Sequence, residues 1–490
     1  MAVRPRRLGD LDPKRYPPLS VRDEIRKNLL RKLRSGEALF PGIIGFDQTV
    51  VPQIVNALLA RHDLIFLGLR GQAKTKLSRM LADFLDPEAP CIAGSALREH
   101  PLSPLTGASL RRVQDEGPDL PIEWISREER YGEKLATPDV TMADLIGDID
   151  PLKAAHRKLD LSSEEVIHFG IIPRMNRGIF SVNELPDLAP RIQVGLLNIL
   201  EERDVQIRGF PLRIPLDILM VFTANPEDYT NRGSIITPLK DRIASQILTH
   251  YPKTLEDARK ISESEAWMDR GKDLPAVEIP DFIAEVLEEI AFRGRDSEYV
   301  DQKSGVSARL PISARETLVS QVERRLVGKK GASPHPRIVD LAQLVPAVTG
   351  KVELVYEGEQ EGALQVAKHL IGTACRTVFD KYFPDAIREG SEPKLKNDRY
   401  KPVLDWFADG KRLEISDEME DDAYCAALEQ VPGLKALADE FLPVKPRAVH
   451  AAAMELILEG LHQHSLLAKE DAVTGASYSD MLGLMLEGLK

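Results

Sequence analysis

Leu64-Ile65-Phe66-Leu67-Gly68-Leu69-Arg70-Gly71-Gln72-Ala73-Lys74-Thr75 is the stretch of this sequence on which the fold turns. Its four apolar residues read as a buried strand, and Leu77, Met80, Leu81 and Phe84 beyond it recur at helical spacing. Strand, glycine-containing turn and helix in that order open an α/β domain with a parallel sheet. The turn has the composition of a phosphate-binding loop. Gly68, Gly71, Gln72 and Ala73 would let backbone N–H groups wrap phosphates at a helix N-terminus. Lys74 would reach the β- and γ-phosphates, and Thr75 would offer a hydroxyl to Mg²⁺. Ala73 stands where a second glycine is usual; alanine costs little there at negative φ and is strained in a left-handed conformation. Alone, so imperfect a loop is compatible with a plain strand–turn–helix connection. Its flanking strand and helix favour phosphate.

Two further apolar strands, Ile179–Val182 and Ile218–Phe222, each run directly into polar residues. The first delivers Asn183 and Glu184, the second Thr223-Ala224-Asn225-Pro226. Parallel sheets place ligand chemistry at the carboxyl ends of their strands. Glu184 is there the natural base for a water attacking the γ-phosphate, and Asn225 can hold that water or the phosphate. Separately, an Asn-Glu pair is a polar loop start and an Asn before Pro is a turn; together they make a site. Between the strands, 191–202 reads as one helix, and Val205–Ile214 alternates like a hairpin turning near Gly209. Residues 92–150 are charged and weakly periodic, and read largely as an insertion between core elements.

Outside that core, residues 1–37 read as a lead-in with a helix over Val21–Leu33, and Val51, Ile54, Val55, Leu58 and Leu59 share one helical face. After Tyr251 the chain turns helical, with helices expected over Glu256–Met268, Pro280–Arg293 and Pro311–Val327. The Gly-, Lys- and Pro-rich segment Gly328–Arg337 reads as a linker to a mainly helical region, 338–490. The expected organisation is therefore an α/β nucleotide-binding domain over 38–250, a helical lid over 251–330, and the region 338–490. The acidic stretch Glu414–Asp422 lacks calcium-loop spacing and reads as a solvated face. His462 and His464 point in different directions on a helix and make no metal pair.

In order, Ile43-Ile44-Gly45, Lys74-Thr75, Asn183-Glu184, Asn225 and Leu239-Lys240-Asp241-Arg242 resemble the motifs of AAA+ ATPases. Asp144-Leu145-Ile146-Gly147 and His168–Ile179 resemble the segment before Walker B in MoxR ATPases and magnesium-chelatase I subunits, and the hairpin near Gly209 resembles that clade's pre-sensor-1 hairpin. The resemblance covers roughly residues 38–325. It implies an AAA+ P-loop domain with a helical lid, ATP and Mg²⁺ as cofactors, and hydrolysis of ATP by a homo-oligomeric, hexameric ring. It further implies a chaperone-like action on a partner protein, often one with a von Willebrand factor A domain. Ile43 and Ile44 would flank the adenine, Glu184 would be the catalytic base, Asn225 sensor 1, and Arg242 an arginine finger toward an adjacent subunit. For Arg242 the competing reading is an ion pair with Asp241 or another acid. Gly305-Val306-Ser307-Ala308-Arg309 resembles sensor 2, with Arg315 as the alternative. Asn183 stands where the family usually has Asp, a residue that anchors Mg²⁺ through water. Asn keeps the hydrogen bonding and loses the charge.

Composition bounds the remaining classes. The chain has 490 residues, 43% hydrophobic, enough for two or three cored domains, and carries no apolar run of membrane-spanning length. Its basic first residues have no apolar segment behind them, so no signal peptide is expected. Cys91, Cys375 and Cys425 lie far apart, which suits a reducing cytoplasm and gives no zinc or disulfide framework. A net charge of −12 argues against sequence-independent nucleic-acid binding. No Gly-Ala-Phe-Thr-Gly-Ala loop or helix-turn-helix signature is present. The alternatives to a protein remodeller are a helicase-like motor and a nucleotide-switched assembly with little hydrolysis.

Overall fold

The computed structural model describes residues 4–150, 166–207, 213–225, 234–327, 332–388, 394–472 and 475–481. The chain divides into two compact units, Met1–His250 and Tyr251–Lys490.

The first unit is built on a parallel sheet of five strands: β1 (Leu64–Leu67), β2 (Tyr131–Leu135), β3 (Gly178–Asn183), β4 (Ile218–Ala224) and β5 (Ser245–Leu248). Their order across the sheet is β5-β1-β4-β3-β2. All seven residues of β4 are buried, because a central parallel strand is covered on both faces. Register aligns Leu67 with Ala224 and Phe222 with Val182. The loops after β1, β4 and β3 therefore leave the same edge of the sheet side by side.

Helices follow from capping and periodicity. Helix α1 (Val21–Ser35) starts where Ser20 accepts from the Asp23 N–H and stops at Gly36, whose φ of 70° is left-handed. Its Val21, Ile25 and Leu29 join Val50, Ile54 and Leu58 of α2 (Val50–Leu59) in a core beneath β1 and β4. The lead-in is thus part of the first unit's core. Helix α3 (Lys74–Met80) follows the loop after β1 and continues as a 3₁₀ turn, Leu81–Phe84.

The region 92–150 departs from its reading as insertion. Tyr131–Leu135 forms β2, the sheet's edge, paired in parallel with β3. Its sequence, Tyr-Gly-Glu-Lys-Leu, lacks an apolar run because an edge strand is half solvated and keeps charge there; Leu135 is 55% exposed. The helix expected over 191–202 is two short ones, α4 (Pro190–Gly195) and α5 (Leu197–Glu201), broken at Leu196. The hairpin pairs Asp204–Gln206 with Arg213–Pro215. Gly209 and Arg208 lie outside the described residues. Helix α6 (Thr237–Arg242) precedes β5.

The second unit is mainly helical: α7 (Leu255–Glu265), α8 (Asp281–Asp296), α9 (Arg309–Leu326), α10 (Ala363–Tyr382) and α11 (Arg447–Gln463). A small antiparallel sheet, β6 (Leu413–Ser416), β7 (Ala468–Ala472) and β8 (Gly475–Ser479), is ordered β6-β8-β7. One core runs from Phe282 of α8 through Val378 of α10 to Leu456 of α11 and Tyr478 of β8. The expected lid and the region beyond it share this core and make one unit. Val449, Ala452, Ala453 and Leu456 are buried in it.

Two sequence readings are corrected here. The end of the expected linker is anchored: Arg337 is buried, donates to Asp421 at 2.7 Å and lies over the Tyr424 ring. The acidic stretch is not wholly solvated, since Asp417 is 2% exposed and accepts from Gln321. Gln321 of α9 and Arg337 of the linker give these carboxylates partners that no local reading of 414–422 contains. Among the described residues no helix is long and apolar enough to cross a membrane.

Candidate nucleotide site

Lys74 opens α3 and is buried, with its ammonium folded over the loop that precedes it. It donates to the carbonyls of Gly68 at 2.5 Å and Leu69 at 2.9 Å, and to Asn225 Oδ1 at 2.6 Å. Asn225 Nδ2 donates in turn to Glu184 Oε2 at 2.9 Å. Three residues separated widely in sequence thus form one chain at the carboxyl edge of the sheet, because β1, β4 and β3 end side by side.

Two of the left-handed non-glycine residues among the described residues stand at the same place. Ala73 has φ 57° and ψ 15°, and Glu184 has φ 55° and ψ 52°. Each is a left-handed conformation that costs a non-glycine residue roughly 1–3 kcal/mol. The concern raised by alanine at 73 is therefore real: the loop adopts the conformation in which glycine would be unstrained. Glu184 is held by its own N–H, which donates to Thr223 Oγ1 at 3.1 Å. Thr223 Oγ1 also lies 3.4 Å from Asn183 Oδ1, as does Ser181 Oγ.

Gly68 is needed for closeness, not for φ. A β-carbon there would overlap the Thr249 hydroxyl and the Gln72 side-chain oxygen. Thr249 Oγ1 donates to Gln72 Oε1 at 2.8 Å across it. Gly71, with φ 75°, supplies the turn. Ile43 and Ile44 are half-buried in the loop before α2.

Arg242, at the end of α6, is 31% exposed and bound to Glu201 of α5, with Nε to Oε2 at 2.7 Å. The ion-pair reading holds within the chain, with Glu201 in place of Asp241 as partner. Arg309 is the first residue of α9 in the second unit, and is exposed. Its alternative, Arg315, is 3% exposed and lies 3.6 Å from Glu288 Oε1. Burial lowers the Arg315 pKa and raises that of Glu288, each opposed by the other's charge. Arg315 is thus committed to the interior of its unit. Thr223, Thr249 and Glu201 were not singled out in sequence. Isolated threonines at strand ends and one glutamate in a helix carry no motif that would mark them.

Among the described residues no group of three or more His, Cys, Asp or Glu could hold a metal ion. Thr75, in the first turn of α3, and Asn183, at the end of β3, offer only neutral oxygens. That donor set suits a magnesium ion that brings phosphate oxygens and water with it, and does not suit one bound by protein alone.

No protein-family model matches the chain. A stretch of 87 residues is 32% identical to the hydrogenase transcriptional regulatory protein HoxA of Cupriavidus necator, covering 17% of this chain and 18% of that protein. The match therefore spans less than a fifth of the relative's length. Solved structures similar to it include NtrX from Brucella abortus in complex with ATP, at 14% identity and a TM-score of 0.40 over 72% of this chain and 66% of that one. The BchI–BchD complex of magnesium chelatase is similar at 18% identity and a TM-score of 0.33, over 66% and 98%. Hsp104 with ATPγS and casein is similar at 13% identity and a TM-score of 0.37, over 65% and 51%. The parallel sheet of five strands and the glycine-containing loop between β1 and α3 make the first unit an α/β domain.

Proposed function

We propose that this chain is an ATP-hydrolysing AAA+ protein of the MoxR and magnesium-chelatase I kind, which works as a homo-oligomeric ring and remodels or activates a partner protein. The observation that carries the hydrolytic part is the continuous hydrogen-bond chain Lys74–Asn225–Glu184. It joins the group suited to bind phosphate with the group suited to take a proton. In this reading Lys74 meets the β- and γ-phosphates and Ile43 and Ile44 flank the adenine. Water attacks the γ-phosphorus, the bond to the ADP oxygen breaks, and the water's proton passes to Glu184. Asn225 fixes the distance between lysine and base. Thr75 and, through water, Asn183 would hold Mg²⁺, which neutralises phosphate charge.

Arg242 is the proposed arginine finger, and Arg309 the proposed lid arginine. Releasing Arg242 from Glu201 is cheap, since exposed ion pairs contribute roughly 0–1 kcal/mol. A hexamer and a partner with a von Willebrand factor A domain are what the family resemblance suggests. A protein partner is favoured over nucleic acid by the net charge of −12. The three free, buried cysteines suit a reducing cytoplasm.

Phosphate release under steady-state conditions tests the reading. Glu184→Gln should bind ATP yet hydrolyse it about 100-fold more slowly, the scale of a lost general base. Arg242→Ala should bind ATP and hydrolyse poorly, and mixing the two variants should restore turnover at mixed interfaces. Unchanged turnover in Glu184→Gln moves the base elsewhere. No rescue in demonstrably mixed oligomers removes Arg242 from the site.

A further inference from the structure

Thr249 follows β5 directly, and its N–H continues the ladder by donating to Leu67 O at 2.8 Å. That carbonyl is already satisfied, and it lies 3.2 Å from Thr249 Oγ1. The hydroxyl's single proton has a nearer acceptor in Gln72 Oε1, at 2.8 Å. Both side chains are more than nine-tenths buried, at 6% and 8% exposed. They meet over the α-carbon of Gly68, in space that any side chain at 68 would fill. The next residue, His250, places Nε2 2.8 Å from Thr49 Oγ1 and its ring edge-on to Phe46 at 5.0 Å. Two consecutive residues therefore grip, in turn, the loop before α3 and the loop before α2. They are also the last two residues of the first unit.

We propose that Thr249 is a positioning residue of the nucleotide site, whose hydroxyl latches Gln72 across Gly68 and fixes the loop in the shape that receives phosphate. The latch works on a loop that needs it. Ala73 is held left-handed against its preference, so relaxation of residues 70–73 toward unstrained angles would turn N–H groups away from the phosphates. A buried Gln72 bound to β5 resists that relaxation. The inference rests on the reading of 68–75 as a nucleotide loop.

Thr249→Val keeps the shape and removes the donor, while Thr249→Ser keeps the donor. Titration with fluorescent ADP should show Thr249→Val weakened about 3- to 10-fold, the worth of one buried hydrogen bond, and Thr249→Ser near wild type. The rate at saturating ATP should change less than about twofold, as expected for lost binding alone. In protein without added nucleotide, amide hydrogen exchange should quicken over 68–73 in Thr249→Val only. Equal affinity for wild type and Thr249→Val, or equal weakness of the valine and serine variants, overturns the proposal. Unchanged exchange over 68–73 overturns it as well. Wild-type protein that binds no nucleotide overturns the nucleotide reading, and the exchange comparison then still decides the latch.

Discussion

Asn183 is where the chemistry of single residues can be tested most sharply. Its Oδ1 sits 3.4 Å from the hydroxyls of Ser181 and Thr223, and its neighbour Glu184 carries the proposed base. A neutral amide can orient waters around a magnesium ion but adds no charge to hold it. Asn183→Asp keeps the acceptor, shortens neither hydroxyl contact by design, and supplies the missing charge. The half-saturating Mg²⁺ concentration for ATPase activity should fall by about tenfold, a usual scale for changes in groups that act through a ligand's water. A magnesium titration at saturating ATP checks this. A midpoint that does not move takes position 183 away from the metal. Maximal rate is read separately, since a second carboxylate beside Glu184 raises the pKa of one of the pair and slows proton transfer.

At the scale of elements, α1 and the edge strand β2 depend on one buried pair. Arg130, immediately before β2, donates from Nη1 and Nη2 to the two oxygens of Glu24 on α1, at 2.8 and 2.6 Å. Its Nε donates to Arg177 O at 2.8 Å, and its own carbonyl accepts from Ile179 of β3. The side chain of Arg130 is 0% exposed and that of Glu24 8%. Glu24→Ala would strand a buried guanidinium, which commonly costs about 3–5 kcal/mol. The double variant Glu24→Leu/Arg130→Met should lose less than Glu24→Ala, because it leaves no charge behind. Denaturant midpoints of the three proteins decide; a loss under about 1 kcal/mol in Glu24→Ala makes the pair dispensable.

The same elements explain what the sequence let be read. Strands β1, β3 and β4 were legible because central strands are buried on both faces and spell unbroken apolar runs. β2 and β5 were not, since Tyr131–Leu135 and Ser245–Leu248 are edge strands with solvated residues; Leu248 is 64% exposed. Lys74, Glu184 and Asn225 could be found because each directly follows a legible strand or its loop. Thr249 follows an illegible one, so its latch on Gln72 was invisible. Asp417 and Arg337 were misread for a different reason: their partners lie 96 and 84 residues away, at Gln321 and Asp421.

On the scale of the whole molecule, the second unit carries a charge problem of its own in the core. Glu455 of α11 is fully buried; Tyr424 Oη donates to its Oε2 at 2.6 Å and the Ile338 N–H at 3.0 Å. Among the described residues its Oε1 has no hydrogen-bond partner. Burial pushes this carboxyl up to about 7, aided by the nearby Asp340 and opposed by the Tyr424 bond, Lys469 and Arg337. Unfolded, the same group titrates near its ordinary value of 4.5. Between those two values the folded chain keeps a proton that the unfolded chain releases. Stability contributed by protonated Glu455 is thus complete below the lower value and is lost as pH rises through the upper one. The loss amounts to about 3 kcal/mol on an order-of-magnitude basis. Glu455→Gln cannot ionise, and its amide oxygen can accept from both Tyr424 and Ile338. The wild type should therefore fall relative to Glu455→Gln by about that amount between pH 5 and pH 8 in urea unfolding, whatever the other titrating groups contribute to both. Parallel stability curves across that range would mean that Glu455 is solvated or already charged in the folded chain.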